Sequence, residues 1–150
     1  MDKYEEFITS FAESAVRICK KYNLYPSVCI AQACIESTWG EDAIKTYNLF
    51  GRKAVNGDEY IELPTREQLE DGSYITIDAK FKVYHSFDEA FEDYCILLTE
   101  QEEYQPALIF IGKDRDSYIR RMALVYATEK KYADMIIDTI NANELWRYDE

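Results

Sequence analysis

One carboxylic acid in this chain sits where its chemistry would be altered. Glu36 closes the apolar run Val28-Cys29-Ile30-Ala31-Gln32-Ala33-Cys34-Ile35 and precedes Ser37-Thr38-Trp39-Gly40. A carboxylate at the edge of an apolar segment loses hydration, which disfavours its charged form and raises its pKa. The run predicts a helix that ends before Gly40, and the negative pole of that helix pushes the same way. A carboxyl that keeps its proton near neutral pH can serve as a general acid. The plainer alternative is a solvated or capping glutamate near a helix end. A second set of acids follows downstream: Asp58, Glu59, Glu62, Glu67, Glu70, Asp71 and Asp78. Two carboxyls facing each other across a cleft suit glycosidic bond cleavage. One protonates the leaving oxygen, and the other balances the developing cation, attacks it or activates water. Taken singly, each downstream acid also reads as ordinary surface charge.

The elements that must position these groups follow from periodicity. Residues 3–21 place Tyr4, Phe7, Ile8, Phe11, Ala15, Ile18 and Cys19 on one helical stripe. Pro26 suits the first position of a second helix, about 26–38, which is apolar nearly all round and therefore central. Residues 46–54 read as an ordered loop leaving a short helical turn. From Val55 to Tyr84 the pattern alternates, with Asp71-Gly72 as a turn signal, and predicts a small antiparallel sheet of two or three strands. Ser86-Phe87-Asp88-Glu89 is a capping box that opens a third helix, with Phe87, Ala90, Phe91, Tyr94, Leu97 and Leu98 on its stripe. Residues 105–113 fit a short helix or a turn. Asp114 or Asp116 starts the next helix, which carries Tyr118, Ile119, Met122 and Val125. Thr128 is expected to cap the last one, with Tyr132, Met135, Ile136, Thr139 and Ile140 inward. The expected plan is a single α+β domain over 1–150, mainly α: a helical body with a small antiparallel β-lobe at about 55–84. The groove between lobe and body would carry Glu36 on one wall and the acids on the other.

Composition narrows the partners. The 150 residues carry a net charge of −12, which argues against nucleic acid and against adsorption to anionic lipid. A polymer gripped by aromatic faces fits better, and 13 Tyr and 2 Trp can supply them. No apolar stretch approaches the roughly 18 residues needed to span a bilayer. The acidic start Met1-Asp2-Lys3-Tyr4-Glu5-Glu6 lacks an apolar signal core, so synthesis in the cytoplasm and release by another route are expected. Cys19, Cys29, Cys34 and Cys95 fall in apolar helical patterns without Cys-x-x-Cys spacing and read as buried thiols. His85 is the single histidine, which removes most Ser-His and Cys-His schemes and leaves no zinc-like ligand set. It reads as a surface or strand-end residue. No metal or other cofactor is expected.

Several motifs, in order, resemble the glucosaminidase family of peptidoglycan hydrolases, glycoside hydrolase family 73 of the lysozyme-like superfamily. Residues 26–40 are similar to its catalytic-acid helix, and Asn48-Leu49-Phe50-Gly51 to its Asn-Leu-Phe-Gly motif. Phe81-Lys82-Val83-Tyr84, with Ser86-Phe87 and Glu92-Asp93-Tyr94 beyond, resembles its Phe-Arg-x-Tyr block. Tyr126-Ala127-Thr128 and Tyr132-Ala133 resemble its C-terminal Tyr-Ala-Thr segment. The resemblance covers about residues 22–145 and implies a lysozyme-like fold acting on the glycan strands of bacterial peptidoglycan. It implies Glu36 as general acid and Glu67, in Thr65-Arg66-Glu67, as the second carboxylate, with Glu70 the alternative. It implies Tyr126 as a cleft residue that orients the substrate N-acetyl group or a water. Asn48, Phe50, Trp39 and Tyr84 are the expected substrate-side residues, with structural roles open for Phe50 and Trp39.

The activity so implied is an endo-β-N-acetylglucosaminidase. The alternatives are a muramidase or lytic transglycosylase on the same polymer, or a non-catalytic glycan-binding or virion structural protein. Release through phage lysis or virion-associated delivery is the setting that a bare catalytic module of this kind suggests.

Overall fold

The computed structural model describes residues 2–37 and 41–150. Among them are seven α-helices, two short 3-10 turns and one two-stranded sheet. Helix α1 spans Lys3–Lys21. Asp2 caps it by accepting from the Glu5 amide at 2.8 Å, and Lys20 and Lys21 stand at its negative end. It buries Ile8, Phe11, Ala12, Ala15, Ile18 and Cys19, while Tyr4, expected on this stripe, is exposed.

Helix α2, Pro26–Ser37, is the centre of the molecule: every side chain from Pro26 to Cys34 is buried. Helices α1 and α7 and the C-terminal 3-10 turn pack around it. Its first turn is held from the far end of the chain. Asp149, in the 3-10 turn Leu145–Asp149, accepts from the Ser27 amide at 2.8 Å and from the Ser27 hydroxyl at 2.6 Å. Arg115 holds the same carboxylate at 2.9 Å. A carboxylate at a helix N-terminus meets unpaired amides and the positive dipole end, so it does the work of a cap from outside the helix.

Helix α3, Glu41–Thr46, leads into the loop that carries the β-lobe. The lobe is one hairpin of β1, Tyr60–Gln68, and β2, Tyr74–Lys82, paired antiparallel with Thr65 opposite Ile77. It has two strands, and the segment from Val55 to Glu59 stays outside them; Lys53 adds only an isolated bridge to Phe81. Asp71-Gly72 makes the predicted turn, with Gly72 at φ +88° and Asp71 accepting from the Ser73 amide at 2.9 Å. Asn48 fastens the lobe to the body. Its Nδ2 donates to the Arg52 and Lys82 carbonyls at 2.9 Å each, and its Oδ1 accepts from the Arg52 amide at 2.9 Å.

Helix α4, Phe87–Glu100, opens as the capping box requires: Ser86 accepts from the Glu89 amide at 3.2 Å, and Glu89 reaches back to the His85 amide at 2.7 Å. The ambiguous stretch resolves into a 3-10 turn at Glu102–Tyr104 and a short α5 at Gln105–Leu108. Asp114, not Asp116, caps α6, Arg115–Tyr126. Helix α7 runs Tyr132–Ala142 and begins after Lys131 without a side-chain cap, so the cap expected at Thr128 is not there. Met135 and Val125, expected inward, are 41% exposed each, because the buried stripes turn toward Ile136 and Ile140 on α7 and Met122 and Ala123 on α6. The four cysteines are free and buried, with Cys19 and Cys95 Sγ atoms 3.9 Å apart. His85 is exposed and lies 3.0 Å from Glu59.

Removing the external cap tests its weight. Asp149→Ala is expected to cost about 1–2 kcal/mol, since it strips the start of α2 of an acceptor and leaves Arg115 without its partner. Urea unfolding monitored by circular dichroism measures it; an unchanged midpoint would show that the C-terminal turn is decoration.

Candidate active site

Helix α2 delivers Glu36 one turn beyond Gln32, on the same face. Burial raises the Glu36 pKa above its ordinary value, and a hydrogen bond with Tyr132 opposes that rise in part. Tyr132 starts α7 and is buried. Its own pKa is raised by burial first and then by the neighbouring Glu36 charge. The Tyr126 ring, at the end of α6, lies parallel to that of Tyr132 with centroids 5.8 Å apart. Burial, then Tyr132 and Glu36, raise the Tyr126 phenol. The acid therefore faces two neutral phenols where α6 turns into α7. A carboxyl so placed holds its proton to higher pH than a free one and can release it to a nearby oxygen.

Gln32 adds a buried polar line behind the acid. Its Oε1 accepts from the Tyr94 hydroxyl at 2.5 Å, and its Nε2 donates to the Tyr132 oxygen at 3.2 Å. Gln32 is wholly buried, so both ends of its amide need partners, and both have one. Sequence reasoning missed Tyr132 and Gln32 as site residues. The signal for Gln32 was present, as one amide inside a helix apolar all round. Which of 13 tyrosines would meet it was not.

On the lobe, alternation along β1 puts Leu63, Thr65 and Glu67 on the half-buried side of the hairpin. Glu67 pairs with Lys53 at 3.2 Å. Glu70 lies past the strand, exposed in the turn, whereas Glu67 lies on the half-buried side of β1. Ile75 and Ile77 of β2 stand opposite Glu67 and Thr65 and are 43% and 41% exposed, an apolar wall left open beside the carboxylate.

The residues expected on the substrate side divide differently. Asn48 is buried and spends its amide on fastening the lobe. Phe50 is buried too, stacked on Tyr94 at 4.7 Å and edge-on to Phe91, so its ring is core and not a sugar platform. Tyr84 is buried at the exit of β2 and donates to Asp93. It lines a recess of about 470 Å³ with Lys82, Asp88, Glu92 and Asp93. Of its acids, Asp88, Glu92 and Asp93 are paired with Arg17, Lys21 and Lys82, and Glu89 accepts from the His85 amide, which makes the recess a braced joint. Tyr84 is thus a strut, because a buried ring with its hydroxyl spent has nothing left to offer a sugar. Trp39 lies outside the described residues. Among the described residues, no group of three or more His, Cys, Asp or Glu side chains could hold a metal ion. None of the described helices is long and apolar enough to cross a membrane.

The raised Glu36 pKa has a sign that stability measurements can read. Unfolding returns Glu36 to its ordinary value of 4.5, so the folded state binds the extra proton. Stability credited to the neutral acid is full below that value and is lost as pH rises through the higher folded pKa. Glu36→Gln should therefore raise the melting temperature at pH 7, with no gain below about pH 4. A constant gain at both pH values would contradict a buried, titrating Glu36.

The family model for glucosaminidases, described as mannosyl-glycoprotein endo-β-N-acetylglucosaminidase, matches residues 12–145. The exo-glucosaminidase LytG of Bacillus subtilis is 34% identical across 100% of this chain, which spans 55% of that protein. A probable N-acetylmuramidase of Lactococcus lactis is 32% identical over 97% of this chain and 35% of its own length. The chain thus spans little more than half of one curated relative and about a third of the other. The crystal structure of the catalytic domain of the autolysin Auto from Listeria monocytogenes superposes with a TM-score of 0.87 at 34% identity, covering 99% of this chain and 89% of that one. A family model spanning nearly the whole fold, and a catalytic domain superposing along almost its full length, place the helical body and hairpin lobe together: the chain belongs to the glucosaminidase family of glycoside hydrolases.

Proposed function

We propose that this chain is a catalytic domain that hydrolyses the glycan strands of bacterial peptidoglycan as an endo-β-N-acetylglucosaminidase. The observation that carries the reading is Glu36: a carboxyl partly desolvated at the exit of a buried helix, with Tyr132 as its neighbour. In this reading Glu36 gives its proton to the bridging oxygen after an N-acetylglucosamine unit, and the C–O bond breaks with its electrons moving to that oxygen. Positive charge gathers at the anomeric carbon. Glu67, a water or the substrate's own N-acetyl oxygen balances it, and water finally adds to that carbon while Glu36 regains a proton. In the same reading Tyr126 orients the N-acetyl group or the water, a role supported by its stacking on Tyr132 beside the acid. Ile75 and Ile77 offer the apolar face of a sugar a wall next to Glu67. The reaction needs no cofactor.

A second reading, cleavage of the other glycosidic bond, is favoured by the relative named as a probable N-acetylmuramidase. The chemistry at Glu36 would be the same, and only the register of the glycan would differ. Delivery belongs to the proposal as well: phage lysis or virion-associated release to the wall, a setting in keeping with the net charge of −12.

Digestion of purified peptidoglycan with end-group mass spectrometry tests the assignment. Reducing N-acetylglucosamine ends are expected. Reducing muramic ends would favour the muramidase, 1,6-anhydromuramic ends a transglycosylase, and wall binding without products a glycan-binding protein. Glu36→Gln should lower the rate by about 10²–10⁴-fold, the usual worth of a general acid. Glu67→Gln should lower it by a smaller factor if water or the N-acetyl group shares the charge. Lysis of intact cells by protein added from outside checks the delivery reading.

A further inference from the structure

We infer that Gln32 and Tyr94 are positioning residues of this site: acting in series, they turn the Tyr132 hydroxyl proton toward Glu36. The inference rests on the hydrolase reading above and deepens it.

The polarity of the line can be read from its distances. The contact between the Tyr94 hydroxyl and Gln32 Oε1 is 2.5 Å, a length that suits O–H···O and is too short for an amide N–H···O. The contact between Gln32 Nε2 and the Tyr132 oxygen is 3.2 Å, at the long end for N–H···O. Tyr94 therefore donates, Gln32 presents its oxygen to Tyr94 and its nitrogen to Tyr132, and Tyr132 accepts. A phenol that accepts from one side has its own proton free for another acceptor, and Glu36, one turn beyond Gln32 on the same face of α2, is the carboxylate placed to take it. The opposite amide orientation would leave the Tyr94 proton in an apolar core, under the stacked Phe50 ring. It would also ask Tyr132 to donate to Gln32 in place of Glu36. Burial enforces the choice: Gln32 is wholly buried and Tyr94 is 3% exposed, so water does not substitute for either partner.

The consequence falls on the acid. A hydroxyl aimed at Glu36 favours its charged form, which works against burial. The titratable neighbours are Tyr132 from α7 and Tyr126 from α6; Tyr104 and the Arg52 guanidinium act on those phenols. None of these lies on α2, so the line from Gln32 is the only part of the arrangement that travels with the acid's own helix. Gln32 and Glu36 are one turn apart, and α2 carries both the proton donor and the group that sets its partner.

The test is the alkaline limb of the pH–kcat/KM profile, measured on purified peptidoglycan. This limb marks the loss of the general acid's proton. Tyr132→Phe removes the donor and should move the limb upward by about one pH unit, the order expected for a hydrogen bond to a charged group. Tyr94→Phe and Gln32→Met leave the donor but not its aim, and should move it the same way by about half a unit. The double variant Tyr94→Phe with Tyr132→Phe should move it no further than Tyr132→Phe alone. Tyr94→Phe keeps the ring and its packing, so it carries the test if Gln32→Met fails to fold. A wild-type limb in Tyr94→Phe, or a shift that adds to that of Tyr132→Phe, overturns the inference. Absence of hydrolysis by the wild type would instead defeat the hydrolase reading, and carbon NMR titration of Glu36 in the same variants would still decide the relay.

Discussion

Everything in this molecule depends on how α2 is buried. Nine consecutive side chains, Pro26 to Cys34, are out of water, and helices and a terminal turn close around them. Such a helix has no solvent face on which polar groups can be placed cheaply, so each polar group on it must be matched. Its start is matched by Asp149, brought back from the end of the chain, and its middle by Tyr94 and Tyr132 around Gln32. Its end carries Glu36, which is matched only in part. The energy gained by burying the apolar faces is what holds that acid in a setting it would not choose.

The β-lobe is attached by polar bonds more than by packing. Asn48 ties the loop after α3 to both Arg52 and the end of β2, and Tyr84 closes onto Asp93 as β2 leaves the hairpin. Residues that resemble substrate contacts in sequence are thus spent on the joint. The physical reason is geometric. A two-stranded hairpin has little core of its own, so its position relative to Glu36 has to be set by directed bonds at its base. Glu67 owes its half-buried position to the period of two along β1.

Much of this was legible beforehand. The all-round apolar character of residues 26–34 announced a central helix, and Pro26, Asp71-Gly72 and Ser86 marked the elements they begin or turn. The plan of a helical body with a small lobe followed from those signals. The misses have local causes. Thr128 looks like a cap, but α7 begins four residues later, after Lys131, because burial of Tyr132, Ile136 and Ile140 fixes where the helix can start. The spacing of Met135 and Val125 predicts inward side chains, yet the buried stripe is narrower than that spacing suggests. Phe50 and Tyr84 carry residue types suited to sugars, and only packing shows that their rings are already in use.

The sequence by itself determined that an acid ends a buried helix and that a hairpin rich in carboxylates follows it, because hydrophobic periodicity and turn chemistry are local properties of the chain. Tertiary structure alone decided which groups meet that acid. Tyr132 is nearly a hundred residues away from Glu36 in the chain, and Asp149 reaches α2 only when the last turn docks. Long-range pairing of this kind follows from how α6, α7 and the C-terminal turn pack on α2, and no spacing along the chain encodes it. The different settings of Glu67 and Glu70 arise in the same way, since one stays within the strand on its half-buried side and the other passes into the exposed turn.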